Sequence, residues 1–163
     1  MTTAVLSSVE LRQALRRVPT PITFIASHSG EVPVGMVVGS FIGISLEPAL
    51  VGVYLQKSSS TWPQLRSIVE QGAELGVSIL GSAHADQIRQ LSGPAAGRFA
   101  GRWSRENGGA VHLDGADTQL STRVVEISEV GDHDFALLEV VHAAVADGGS
   151  HALVFHESQV GTL

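Results

Sequence analysis

The sequence contains no cysteine. That one absence excludes a disulfide framework, a thiol nucleophile and a Cys-ligated metal centre. No run of 18 apolar residues is present, so no segment reads as a membrane-spanning helix. Charged residues make up only 16%, against about 25% in an average globular domain. Part of the surface is therefore expected to be covered by a partner, and a homodimer is the commonest way to do that. The net charge of -6 leaves no basic face for nonspecific nucleic-acid binding. No GxGxxG in a βαβ frame, no HExxH and no GxSxG elbow occurs, which argues against a Rossmann domain, a zincin and a serine hydrolase. No metal site is expected, and most of the seven histidines read as surface or strand-end residues. The N-terminus, MTTAVLSSVELRQ, lacks a basic n-region and a long apolar h-region. It does not read as a signal peptide, and a cytoplasmic location is expected.

What is present is a core. With 163 residues, 44% of them hydrophobic, the chain is long enough for one domain spanning 1–163. Ser7-x-x-Glu10 is a capping box opening a helix to Arg17, with Leu11, Ala14, Leu15 and Val18 on one apolar face. Ile22 to Ala26 and Val32 to Val38 form a hairpin around Ser29-Gly30. Phe41 to Leu46 and Leu50 to Leu55 are strands apolar on both faces, as in a barrel interior or under a dimer interface. Thr61 to Glu70 is a helix with Pro63 in its first turn and one of Ser58, Ser59 or Ser60 as N-cap. Ala73 to Leu80 is a strand and Ala83 to Leu91 a short helix. Ser92 to Gly109 has no period and reads as a functional or mobile loop. Ala110 to Leu113, Thr118 to Ser128, Phe135 to Ala146 and Ala152 to Phe155 complete the strands. The class is mainly β, a Greek-key barrel with peripheral helices.

Four constellations carry chemistry. Lys57-Ser58-Ser59-Ser60-Thr61 offers a cation, four hydroxyls and a helix start, a combination that binds phosphate; a plain N-cap in a polar loop is the simpler reading. Lys57 is the only lysine among ten basic residues. Gly35-Met36-Val37-Val38-Gly39-Ser40 has glycines at strand ends, which let a flat ligand approach the backbone, or which mark bulges. His133, in Gly131-Asp132-His133-Asp134, lies between two carboxylates and could hydrogen-bond a ligand; an exposed turn is the alternative. Arg98, Phe99, Arg102 and Trp103 interleave arginines with aromatics, as a stacking surface or as local packing.

In the order GMVVGSFIGISLEPALVGVYLQKSSSTWPQL, GRFAG, LDGA, GDHDFALLEVV and HALVFHESQVGTL, the chain resembles the flavin reductase-like family, the reductase components of two-component flavin monooxygenases. The resemblance runs from about Leu11 to the end. It implies an FMN-binding split β-barrel that dimerises, with FMN or FAD near the subunit interface. It also implies that NADH or NADPH reduces the flavin at N5, and that reduced flavin passes to a partner monooxygenase. By the same resemblance, Met36, Val37, Val38, Gly39 and Ser40 line the ring edge and Ser45 lies at the flavin. Gln56 and Lys57 approach the pyrimidine end or the ribityl chain, and Ser58, Ser59, Ser60, Thr61 and Trp62 approach the phosphate. Phe99 lies near the cofactor or the nicotinamide, and His133, as the catalytic candidate, faces the nicotinamide. The chain departs from the family pattern at Val37 (usually Thr), Gly39 (usually Asn) and Ile42-Gly43 (usually Thr-Ser), which removes four side-chain hydrogen-bonding groups from the expected edge.

Overall fold

The computed structural model describes residues 5–163. Its strands are β1 (Thr20–Pro21), β2 (Thr23–Ser27), β3 (Val34–Val38), β4 (Ile42–Ser45), β5 (Leu50–Gln56), β6 (Leu75–Ile79), β7 (Trp103–Arg105), β8 (Val111–Leu113), β9 (Thr118–Val130), β10 (His133–Val145), β11 (Leu153–His156) and β12 (Gln159–Thr162). The helices are α1 (Ser8–Leu15), α2 (Trp62–Glu70) and α3 (Ile88–Leu91). One antiparallel sheet of seven strands runs β3-β2-β6-β9-β10-β5-β4. Two small sheets, β1-β11-β12 and β7-β8, flank it.

All five residues of β2, TFIAS, are buried. Ile25 packs into one core with Val53, Leu55, Leu65, Val77 and Leu138, beneath α2. Ile22, Phe24 and Ala26 point the other way, into a second core with Leu80, Leu91, Val111 and Leu153. Alternate residues of a strand face opposite sides of the sheet, so covering both faces explains why this strand shows no apolar–polar alternation. The second layer lies very close. A Cβ at Gly76 would stand 2.2 Å from the Val111 carbonyl oxygen, so β8 can cross β6 only over glycine.

The Ser7–Glu10 capping box forms in both directions. The apolar face of α1, however, meets no core: Leu11, Leu15 and Val18 are all exposed. β4, read as lying inside a barrel or under a dimer interface, is not inside the barrel of this chain. It is the sheet's edge, with Ile42, Ile44 and Leu46 exposed. The helix expected over Ala83–Leu91 is mostly a 3-10 turn, Ser82–Gln87, ahead of a single α-turn. The aperiodic stretch 92–109 contains β7 and a short 3-10 turn. β1 and β12 carried no usable sequence signal, being respectively two residues with a proline and a polar QVGT.

Two of the seven histidines, most of which were read as surface or strand-end residues, are core residues: His84 and His112 are each 2% exposed. The Ser121 hydroxyl donates to Glu106 Oε2 at 2.7 Å and lies 3.1 Å from His112 Nε2. Burial lowers the pKa of His112 from 6.5, partly opposed by Glu106 and assisted by His142. The fold therefore favours the neutral ring. Its contribution is complete above the ordinary value of 6.5 and is lost as pH falls through the lower folded value. Urea midpoints measured at pH 7.5 and 5.5 should fall more steeply on acidification for the wild type than for His112→Gln; equal slopes would exclude His112 as the source.

Candidate active site

A cleft of 370 Å³ opens between β3, the turn before α2 and the loop after α3. Met36 and Val37 of β3 form one wall, with Gln56 at the end of β5. Ser59, Ser60 and Thr61 form the second wall, and Leu91, Ser92 and Arg98 the third. A second cavity of 230 Å³ adjoins it and shares Val37 and Ser92. This one is apolar in character, bounded by Pro21, Val38, Gly39, Ile88, Phe155 and Val160. The cleft that carries Arg98 and the hydroxyls of Ser59, Ser60 and Thr61 thus borders an apolar cavity across Val37 and Ser92.

Arg98 is the cation of the cleft. Its Nε donates to the Gly93 carbonyl at 2.9 Å, and its Nη1 donates to the Gly35 carbonyl at 2.9 Å and to Thr61 Oγ1 at 2.8 Å. Among the described residues, no carboxylate forms an ion pair with it. A half-buried guanidinium held by neutral acceptors and left without a counter-charge favours an anion beside it. The adjoining helix start has the same preference. The N-cap of α2 is Thr61, with no side-chain cap bond of its own. Of the three serines considered for that role, only Ser59 reaches back, its hydroxyl accepting from the backbone N–H of Thr61 and of Trp62 at 3.2 Å each. Ser58 and Ser60 are exposed.

The other expected site residues scatter. Lys57 Nζ donates to the Gly131 carbonyl at 3.2 Å and stands 3.5 Å from Glu129, on the β9–β10 hairpin rather than in the cleft. Ser40 exchanges hydrogen bonds with the backbone of Tyr54, donating at 2.6 Å and accepting at 3.1 Å. Trp62 is 2% exposed and lies beneath the cleft. Phe99 stacks edge-on against Phe24 and Trp103, facing the second core. Ser45 lines a separate apolar depression of 400 Å³ with Gly43, Leu46, Leu120 and Val140.

His133 pairs in register with Gln56, one strand away from the cleft. Its Nδ1 lies 2.7 Å from Asp132 Oδ1, and that bond holds the Asp132 carboxyl below the usual range. The second carboxylate beside it in sequence turns the other way. Asp134 is 4% exposed and accepts from Trp62 Nε1 at 2.7 Å and from Arg66 Nη1 at 3.1 Å. The hairpin itself is tighter than the sequence suggested, a two-residue turn at Gly131-Asp132 with Gly131 at φ +60°.

Sequence reasoning missed Ser92 and Thr20 and saw Arg98 only as a stacking residue. Thr20 is informative: a Cβ at Gly39 would lie 3.1 Å from its Oγ1. A threonine hydroxyl thus stands beside the position where the family usually carries asparagine. The cleft offers a cation, hydroxyls and a helix start, and the adjoining cavity offers an apolar surface, a pairing that suits a ligand with an anionic end and a flat apolar part. Their volumes are those of ordinary small-molecule sites, roughly 300–1,000 Å³ when combined.

The antiparallel architecture, with its two small flanking sheets, is that of the split-barrel flavin-binding proteins. Residues 15–163 match the family model for the flavin reductase like domain, and the chain belongs to that family. It is 33% identical over 145 residues to the actinorhodin polyketide dimerase of Streptomyces coelicolor, covering 88% of this chain and 80% of that protein. It is 31% identical over 155 residues to the NADH:FMN oxidoreductase of Rhodococcus qingshengii, covering 92% and 79%. The fold is also that of the NADH:FAD oxidoreductase SgcE6 of Streptomyces globisporus C-1027, solved with NAD and FAD fragments. There the TM-score is 0.85 at 23% identity, over 99% of this chain and 97% of that one.

The cleft's charge gives a direct test. Inorganic phosphate at tens of millimolar should raise the melting temperature of the wild type by roughly a degree or more. Arg98→Met should abolish the shift and Lys57→Met should keep it; the reverse pattern would place the anion at the hairpin.

Proposed function

We propose that this protein is an NAD(P)H-dependent flavin reductase that binds FMN or FAD and releases reduced flavin to a separate monooxygenase. The observation that carries the reading is the uncompensated Arg98 guanidinium at the start of α2, in a cleft continuous with an apolar pocket at Val37 and Ser92. When bound, the flavin supplies the redox chemistry, taking a hydride from the nicotinamide.

The protein's share is binding and orientation. Arg98, Ser60 and the first turn of α2 hold the phosphate. Val37 packs against the ring, with buried Val38 behind it. Phe155 and Val160 exclude water from the apolar pocket. His133, whose Nδ1 is engaged by Asp132, presents Nε2 to the nicotinamide carboxamide as a hydrogen-bonding partner.

The chain acts as one domain, as a homodimer, in the cytoplasm. The dimer reading rests on the apolar edge strand, where Ile42 is exposed and Ile44 and Leu46 line a depression with Leu120 and Val140. An exposed apolar edge of this kind is ordinarily covered. A second copy placed there would also bring Ser45 under an interface.

Loss of absorbance at 340 nm, with NADH or NADPH and either flavin added, tests the activity. Flavin-dependent oxidation is expected, and none with any pairing would sink the reading, leaving a ligand-binding protein if flavin still binds. His133→Ala should lower kcat/KM for the nicotinamide by roughly tenfold, the loss of about one good hydrogen bond. Light scattering should show a dimer for the wild type and a monomer for Leu46→Asp; an unchanged mass would move the interface elsewhere.

A further inference from the structure

The buried carboxylate of Asp134 has no part in the chemistry above, and it is an unfavourable choice for stability alone. Both of its donors, Trp62 Nε1 and Arg66 Nη1, converge on Oδ2. Oδ1 is buried and has no hydrogen-bond partner. A buried charge satisfied at one oxygen costs desolvation that a well-packed apolar side chain would avoid. What it contributes is position. Trp62 is the first residue of α2, and Arg66 lies one turn further along, held also by Glu70 at 2.9 Å. Asp134 therefore pins the start of that helix to β10 from beneath. Immediately before Trp62 stands Thr61, 5% exposed, whose hydroxyl accepts from Arg98. Two adjacent residues are thus fixed from opposite sides, one by a buried carboxylate and one by the cleft's cation.

We propose that Asp134 is a positioning residue for the phosphate end of the ligand. Through Trp62 and Arg66 it sets the first turn of α2, and so the Ser59–Thr61 wall and the hydroxyl on which Arg98 is aligned. Trp62 acts with it, through the indole N–H. The inference rests on the anion-binding reading of the cleft. It predicts a selective defect: ligands carrying a phosphate lose affinity, while the same ring system without the phosphate does not.

FMN and riboflavin differ by that phosphate alone. Fluorescence titration of both against wild type, Asp134→Asn and Trp62→Phe reads the effect directly. The wild type should hold FMN more tightly than riboflavin. In each variant the FMN affinity should fall roughly tenfold, with riboflavin changing less than about twofold. Asp134→Asn keeps the shape and one acceptor; Trp62→Phe keeps an aromatic core residue and carries the test if the first variant fails to fold. An equal loss for both ligands would mark a merely structural role and overturn the proposal, as would an unchanged FMN-to-riboflavin ratio in a folded variant. A wild type that does not distinguish the two ligands would instead overturn the anion-binding reading itself.

Discussion

The whole arrangement depends on β2 being buried on both faces. A strand with Ile25 in one core and Phe24 in the other needs two covering layers. The first is α2 with the curled sheet around it. The second has no long helix to supply it, and is assembled from β7–β8, α3, the loop that follows α3, and β11. Those pieces are short and irregular, so they meet β3 along an uneven seam. The two cavities are that seam. Met36 and Val37 of β3 face the loop carrying Ser92 and Arg98, while Val38 and Gly39 face β1, β11 and β12. The site is a consequence of how a twice-covered sheet is closed.

Within that seam, the positions of the charges decide which residue can hold an anion. Lys57 looked the better candidate in sequence, being the sole lysine and next to the serines. In the structure it turns to the Gly131 carbonyl and an exposed Glu129, a surface pairing of little energetic weight. Arg98 is far along the chain from those serines but shares a hydrogen bond with Thr61. Its guanidinium is aligned by two carbonyls and a hydroxyl, none of which neutralises it. A planar cation fixed in this way has lost its rotamer freedom before any ligand arrives, and a pre-ordered donor binds more tightly than a mobile one.

The contrast between Lys57 and Arg98 shows how far the sequence could be read. The capping box at Ser7–Glu10, the β2–β3 hairpin, α2 with Pro63 in its first turn, and the long β9–β10 pair all follow from local patterns of period and cap. Of the Lys57–Trp62 stretch, Ser59, Ser60 and Thr61 line the cleft, because a helix start is a local feature. Arg98 and Ser92 were not legible as cleft residues, since residues 92–109 have no periodicity and Arg98 is placed by its bonds to Gly93, Gly35 and Thr61. Asp134 stood in the sequence only as one of two carboxylates beside His133, and nothing local marks it as buried. Its burial depends on Trp62 and Arg66, more than sixty residues away. The exposed faces of α1 and β4 are the converse case: their apolar patterns are present, but no core among the described residues covers them.

The departures at positions 37, 39, 42 and 43 weigh less in three dimensions than they do in the sequence. Ile42 and Gly43 lie on β4, and Gly43 lines the apolar depression rather than the cleft. Of the four positions, only Val37 and Gly39 border the apolar cavity. Two side-chain hydrogen bonds of about 1 kcal/mol each are then the largest loss to charge against the family pattern. Against that stand the Arg98 guanidinium, whose charge-assisted bonds are worth about 1.5–3 kcal/mol each, and the Thr20 hydroxyl beside Gly39. The apolar substitution at Val37 also has a positive side, since a flat ring buried against Val37 and Phe155 gains from contact area rather than from donors. On the proposed reading, binding would accordingly be weighted toward the phosphate end. That reading makes the first turn of α2, and whatever fixes it in place, the part of the structure on which affinity would depend.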